Sequence, residues 1–284
     1  MKLTLIYAYW PNQPYEMTWC DLPWALREAG LPKRLNDEGY EVRESIVSPS
    51  EEYPEELRSG FVLAGEIADE IRQARTQGEL PVTLCGSCSL AAVANIAALG
   101  GEETGVAWLD AHPDLSTPET TTSGLFEGMA LAVAAGLAWY GMSREHAKFT
   151  TPVSLENVAL FGVRDVEAAE QALIDMHGLP IAQSASEMND HLQRNTKSTY
   201  VHLDMDVHDE LVVRTNAFAV PDGPSVEKVR QTLSSLNNIT ALSITGLDPM
   251  AADKAKASRI AIEHVLAIAD AISDSEDHDG RGMA

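Results

Sequence analysis

The chain is poor in cysteine, with Cys20, Cys85 and Cys88 the only three among 284 residues. So sparse and odd a set does not make the disulfide framework of a secreted domain, and a reducing cytoplasm is expected. Bases are scarce too: 20 lysines and arginines face 43 acids, for a formal charge of −23. Phosphate backbones demand a basic face, so nucleic acid is not an expected partner. The same charge suits attraction of a cationic small molecule, although a soluble acidic surface is the plainer account. No window approaches ~18 uninterrupted apolar residues, which argues against a membrane partner. Met1 to Tyr9 lacks the regions of a signal peptide and reads as a first strand. Repeats, low-complexity blocks and linkers are missing. A single domain over 1–272 is therefore expected, its 45% apolar content being enough for a large core. The acidic tail 273–284, nearly without apolar residues, is expected to be disordered.

What is present is an alternation. Short apolar or β-branched runs lie at Lys2–Ala8, Glu41–Val47, Pro81–Cys85, Gly105–Asp110, Asn157–Gly162, Leu179–Ala182, Thr199–Val207 and Ile239–Leu247. Helical stretches separate most of them: Leu22–Glu38, Glu55–Gln77, Ser89–Leu99, Glu127–Trp139, Val166–Met176 and Ser225–Ser235, with a last one from Asp253 to Ser273. In Glu55–Gln77 the spacing of Phe61, Leu63, Ala64, Ile67, Ile71 and Ala74 gives one buried stripe. Strand–helix alternation predicts a three-layer α/β/α fold around a mostly parallel sheet of about eight strands. Sites in such sheets form beyond the carboxyl ends of strands.

Two segments place chemistry at those ends. Val106 to Leu109 leads into Asp110, His112 and Asp114, and Tyr200 to Val207 contains Asp204 and Asp206. In extended chain, residues two apart share a face and converge. Hard carboxylate oxygens with one imidazole suit a divalent ion of the Mn/Fe/Co/Zn range, one or two per site. Set against this, aspartates at strand ends are common, and either group alone serves as loop-capping polar residues. Cys85-Gly-Ser-Cys88 reads as a redox pair, half a zinc site or buried filling. Glu127 reads equally as a first-turn helix acid. His202 reads as core, and His208, past the strand end, as a solvated residue or, less often, one that touches the site. The tryptophans, Trp19 included, read as core, because nothing basic interleaves them.

These segments resemble the ureohydrolases, the arginase/agmatinase family, and its arginase branch most closely, thinly from about Glu16 to Asp270. Asp110-Ala-His112-Pro-Asp114 resembles the family's Asp-Ala-His-x-Asp motif, and Asp204-Met-Asp206 its Asp-x-Asp motif. Ser116 to Gly124 is similar to the arginase loop, and Phe161 to Glu167 to the segment carrying a substrate-ammonium carboxylate. The resemblance implies two manganese ions bridged by Asp110 and Asp204. His112 and Asp206 would complete one metal, and Asp114 with residue 88 the other. A hydroxide between them would attack an amidine or guanidine carbon, with Asp114 passing the proton to the leaving amine. A homo-oligomer also fits the family, with no residue to decide it.

The chain departs from that pattern at several places. Cys88 replaces a metal-ligating His, which favours Zn or Fe over Mn or leaves a single metal. Glu127 replaces a proton-shuttling His, Gly246 a guanidinium-pairing Glu, and Ser116 an Asn that contacts the substrate carboxylate. Ser123 is kept, and Glu167 lengthens the ammonium-binding Asp. An amino-acid grip is thus retained while the guanidinium grip is rebuilt, with Glu127 supplying a carboxylate and Gly246 opening room for a larger head group. The resulting expectation is a metal-dependent hydrolase of a linear guanidino C–N bond, the substrate Nω-hydroxyarginine or arginine. The alternatives are a degenerate member kept for binding or assembly, and a single-metal deacetylase-like amidohydrolase using Asp110, His112 and Asp204.

Overall fold

Wholly apolar strand runs need cover on both faces, and here they receive it. In the computed structural model, which describes residues 1–11, 18–49 and 56–281, the strands are β1 (Lys2–Ala8), β2 (Glu41–Val47), β3 (Leu80–Cys85), β4 (Thr104–Leu109), β5 (Val158–Phe161), β6 (Ile181–Ala182), β7 (Ser198–Asp204) and β8 (Ile239–Thr245). All pair in parallel, in the order β2-β1-β3-β8-β7-β4-β5-β6. Every residue of β3 and β4 is buried. The helices are α1 (Leu22–Glu28), α2 (Leu31–Asp37), α3 (Glu56–Thr76), α4 (Cys88–Leu99), α5 (Ala130–Ala134), α6 (Tyr140–His146), α7 (Ala168–His177), α8 (Ala185–Leu192), α9 (Val226–Leu233) and α10 (Lys254–Arg281). Side chains of α3 to α7 build the core on one face, and those of α1, α2 and α8 to α10 the core on the other. The expected three-layer α/β/α architecture is what forms.

The differences have local causes. The helix expected over Leu22–Glu38 is cut at Gly30, whose φ of +91° ends α1, and Pro32 opens α2. The one expected over Glu127–Trp139 is a 3-10 turn (Glu127–Met129) followed by the short α5, with Gly136 at φ +73° just beyond. α8 lies where no helix is expected, because its buried stripe is only Ala185, Met188 and Leu192 in a polar sequence. α10 continues to Arg281, through residues expected to be disordered from Ser273. Helix propagation adds one backbone bond per residue. Glu16, Glu55 and the last three residues of the tail lie outside the described residues. Among the described residues no helix is long and apolar enough to cross a membrane, and Cys20, Cys85 and Cys88 are all free.

Strands β7 and β8 lie between β3 and β4, so the chain reverses its direction of travel across the sheet there. The carboxyl ends of these four strands face one crevice.

Candidate active site

The two aspartate motifs use one local device twice. β4 stops at Leu109, and Asp110 turns the chain, its Oδ1 accepting the His112 N–H at 2.7 Å. β7 stops at Asp204, and its Oδ1 accepts the Asp206 N–H at 2.8 Å. These are Asx turns. Convergence therefore comes from turns at two strand ends and not, as the spacing suggested, from alternation along extended chain. Leu109 pairs with Leu203 across β4 and β7, which sets the turns side by side.

Asp110, His112 and Asp206 each offer one ligand atom, all within 4.8 Å of one another. His112 Nδ1 lies 3.3 Å from Asp110 Oδ1 and 3.4 Å from Asp206 Oδ2. Burial, then the Asp206 charge, pushes the Asp110 carboxyl up to about 7. Burial also opposes the charges of His112 and Asp206, but the hydrogen bonding of the imidazole to Asp110 and Asp206 wins. It takes the imidazole up to about 12 and the Asp206 carboxyl down to about 2. The trio holds a positive charge between two carboxylates, as a proton or as a divalent ion, and its oxygen and nitrogen donors fit such an ion. Behind it, the Arg164 guanidinium donates to the carbonyls of Gly162, Asp206, Val207, His208, Val220 and Pro221 at 2.7–3.1 Å. That clamp fixes the Asp206 turn.

Cys88 opens α4, and its thiol donates to Asp204 Oδ2 at 3.1 Å. Burial, then the Asp204 charge, holds that thiol well above its ordinary range. In this arrangement it is a hydrogen-bond donor to Asp204. Gly246 brings a correction. With φ at +67°, a Cβ there would lie 1.8 Å from Asp204 Oδ1, so the Asp204 carboxylate fills the space that was expected to admit a larger head group. Gly246 accordingly does not line the cavity.

That cavity, about 200 Å³, is lined by the expected residues Cys88, Asp110, His112, Asp114, Ser116, Ser123, Glu127, Glu167, Asp204 and Asp206. Asp114 is buried at φ +49°, a conformation that Asp tolerates better than most residues. Burial, then the Asp110 charge, holds its carboxyl well above the usual range. Ser116 and Thr122 both donate to Glu167, tying the loop after β4 to the start of α7. Ser123 Oγ accepts the Leu125 N–H at 3.2 Å. Glu127 Oε2 accepts Ser87 Oγ–H at 2.8 Å and the Ser89 N–H at 3.2 Å, which anchors it on the first turn of α4. Glu127 thus sits in the first turn of its own 3-10 segment and also braces the start of α4.

A family model described as the arginase family matches residues 32–269. The chain belongs to the arginase family. The Bacillus subtilis arginase is 32% identical over 171 residues, 56% of this chain and 56% of that protein's own length. The Brucella melitensis arginase is 25% identical over 85% of this chain and 87% of its own. Among solved structures, the Bacillus subtilis arginase superposes with a TM-score of 0.83 at 24% identity, covering 94% of this chain and 98% of that one. The agmatine ureohydrolase of Thermoplasma volcanium gives 0.71 at 14% identity, covering 98% and 91%. These last two likenesses speak for the fold.

Within this arginase-family site, several lining residues were not anticipated. Glu170 accepts the N–H groups of Leu115 and Glu167 at 3.0 and 2.9 Å, bracing the Asp114 turn against α7. Its sequence signal is the capping-box spacing Glu167-x-x-Glu170. Asn216 donates to the Gly246 carbonyl at 2.9 Å and reaches Asp206 Oδ2 at 3.4 Å from a loop with no motif. Trp19 and Phe218 meet edge to face at 5.7 Å and wall the cavity. Trp19 is buried as expected, but as a cavity wall. His208, expected to be solvated, is fully buried, with its Nε2 3.0 Å from that of His264.

Proposed function

We propose that the chain is a metal-dependent hydrolase of a linear C–N bond in a guanidino amino acid, with Nω-hydroxyarginine or arginine as substrate. The observation that carries this reading is the convergence of Asp110, His112 and Asp206 within 4.8 Å at the floor of the cavity. These residues would hold one divalent ion, manganese by family precedent, with Asp204 beside it. The second position of the family is poorly served, because a protonated Cys88 donates to Asp204 instead of offering a lone pair. When bound, the metal lowers the pKa of water and polarises the scissile carbon's substituents.

The chain's own groups supply the remainder. Glu167, fixed by Ser116 and Thr122, receives the substrate ammonium, and the Ser116 and Ser123 hydroxyls face its carboxylate. Glu127, pre-organised by Ser87 and Ser89, pairs with the guanidino head group. Asp114 Oδ takes a proton from the attacking water and returns it to the departing amine, a role suited to a carboxyl held above the usual range. Trp19 and Phe218 exclude bulk water. One observation favours a second reading, a member kept for binding alone: residue 246 supplies no side-chain carboxylate for a guanidinium, and Asp204 fills the space a side chain there would take.

Following urea or hydroxyurea release from arginine, Nω-hydroxyarginine, agmatine and guanidinobutyrate, with metal content measured alongside, separates the two. Release from a guanidino amino acid by metal-loaded protein is the expected result. Binding without release supports the second reading, and a protein that retains no divalent ion ends the first.

A further inference from the structure

A file of hydrogen-bonding side chains runs through the sheet beneath the site. Tyr200, His202 and Asp204 alternate along one face of β7, and Ser243 and Thr245 occupy the same face of β8. Register sets His202 opposite Ser243 and Asp204 opposite Thr245. Tyr200 OH lies 2.7 Å from Ser243 Oγ, and Ser243 Oγ lies 3.1 Å from His202 Nδ1. His202 Nε2 is 3.4 Å from Thr245 Oγ1, which donates to Asp204 Oδ2 at 3.2 Å. All five residues are buried, and the imidazole is stacked on the Trp108 indole at 3.7 Å and 7°. Trp108 Nε1–H in turn donates to the His112 carbonyl.

Each hydroxyl has one proton, which sets the direction of the file. Asp204 already accepts from the Cys88 thiol and the Asp206 N–H, so the Thr245 proton goes to its Oδ2 as a further donor. Thr245 Oγ1 is left to accept from His202, and Nδ1 is left to accept from Ser243. We propose that His202 is a positioning residue, locked as the Nε2–H tautomer, which aims the Thr245 hydroxyl at Asp204 and so fixes that carboxylate beside the metal trio. With the Cys88 thiol and the Asp206 N–H, Asp204 then receives three donors from the protein.

The inference rests on the proposed metal centre for what Asp204 is held to do, but the file itself is read without metal. The first measurement is ¹⁵N NMR of histidine-labelled, metal-free protein, the His202 signals being assigned by their loss in His202→Gln. The expected result is a protonated Nε2 and a bare Nδ1; the opposite tautomer overturns the proposal. The second is calorimetric titration with Mn²⁺ of wild type, Thr245→Val and Thr245→Ser. Outer-shell partners of this kind change metal affinity by about tenfold or more. Thr245→Val is expected to bind about tenfold more weakly, with Thr245→Ser within about twofold of wild type. Equal affinities for Val and Ser reduce Thr245 to packing and overturn the proposal. Wild type that binds no Mn²⁺ removes the metal reading instead, and the tautomer alone then decides the file.

Discussion

The Cys88 sulfur and Asp204 Oδ2 are 3.1 Å apart, with the thiol proton between them. A donor occupies the side of Asp204 from which a second cation would draw its lone pairs. The expected stoichiometry is one Mn²⁺ per chain, measured by elemental analysis after equilibration with excess metal. Cys88→His restores an imidazole lone pair and is expected to raise that number to two. Two ions in the wild type would show that the thiol yields its proton readily, and the single-ion reading would fail.

Gly246 and Asp204 compete for one volume. In Gly246→Ala the new Cβ would meet the carboxylate at 1.8–2.2 Å, and a side chain must adopt φ +67°. The left-handed backbone alone costs about 1–2 kcal/mol. For a chain of this size that lowers the melting midpoint by at least about 3 °C. Mn²⁺ affinity is expected to fall with it, since Asp204 must swing away. A variant that melts and binds as wild type does would mean that Asp204 has other room, and that the pocket over Gly246 is open to substrate after all.

Both strand-end motifs, and with them the trio Asp110, His112 and Asp206, were legible because each is a local spacing whose chemistry is written in three residues. The sheet was legible for the same reason: runs such as Leu80–Cys85 are apolar but for Thr83. What stayed hidden is non-local. Cys88 and Asp204 are 116 residues apart, and only packing shows that the thiol donates. The crowding of Gly246 by Asp204 depends on a rotamer, not on composition. Arg164 reads as one more polar loop residue until six carbonyls from three segments gather around it. His208 and His264 carry no periodic signal that would pair them.

The metal-free protein should have a bounded pH range of stability. Asp110 (about 7), Asp114 and Asp204 are raised by burial and by neighbouring carboxylates, and His112 (about 12) by its carboxylate partners. Groups raised in the folded state favour folding at low pH. Their contribution is lost as pH rises, from about 4 upward for the acids and from about 6.5 for His112. Burial lowers His202 and His264 to about 3 and His208 to about 4. Their contribution is full above about 6.5 and is lost as pH falls. The melting midpoint of metal-free protein is therefore expected to peak between about pH 5 and 7. Saturating Mn²⁺ should flatten the alkaline side, because the ion takes the place of the protons. A midpoint that rises steadily from pH 6 to 9 without metal would contradict the raised carboxyls.

Arg164 joins the Asp206 turn to the Val220–Pro221 segment through donors that no other side chain supplies in that geometry. Lysine has three donors against the five of arginine, so Arg164→Lys leaves part-buried carbonyls unpaired. Each such group costs about 1–3 kcal/mol. Urea denaturation is expected to show a loss of about 3 kcal/mol, accompanied by weaker Mn²⁺ binding. A change below about 0.5 kcal/mol would mean that water reaches those carbonyls.

Glu127 separates the two readings of the cavity. Its Oε2 accepts from Ser87 and Ser89, so it both braces α4 and presents a carboxylate to the cavity. Glu127→Gln keeps an oxygen acceptor and the shape while removing the charge. The structural share of that charge is small, about 0.3–1 kcal/mol at a helix N-terminus. Thermal stability should therefore change little. If Glu127 holds the guanidino group, kcat/KM for guanidino substrates should fall by tenfold or more, a loss of about 1.4 kcal/mol in transition-state binding. The fall should be steeper for arginine than for Nω-hydroxyarginine, whose less basic head group leans less on a paired anion. If turnover of every guanidino substrate survives the substitution unchanged, Glu127 is a cap for α4 and nothing more, and the head group is held elsewhere.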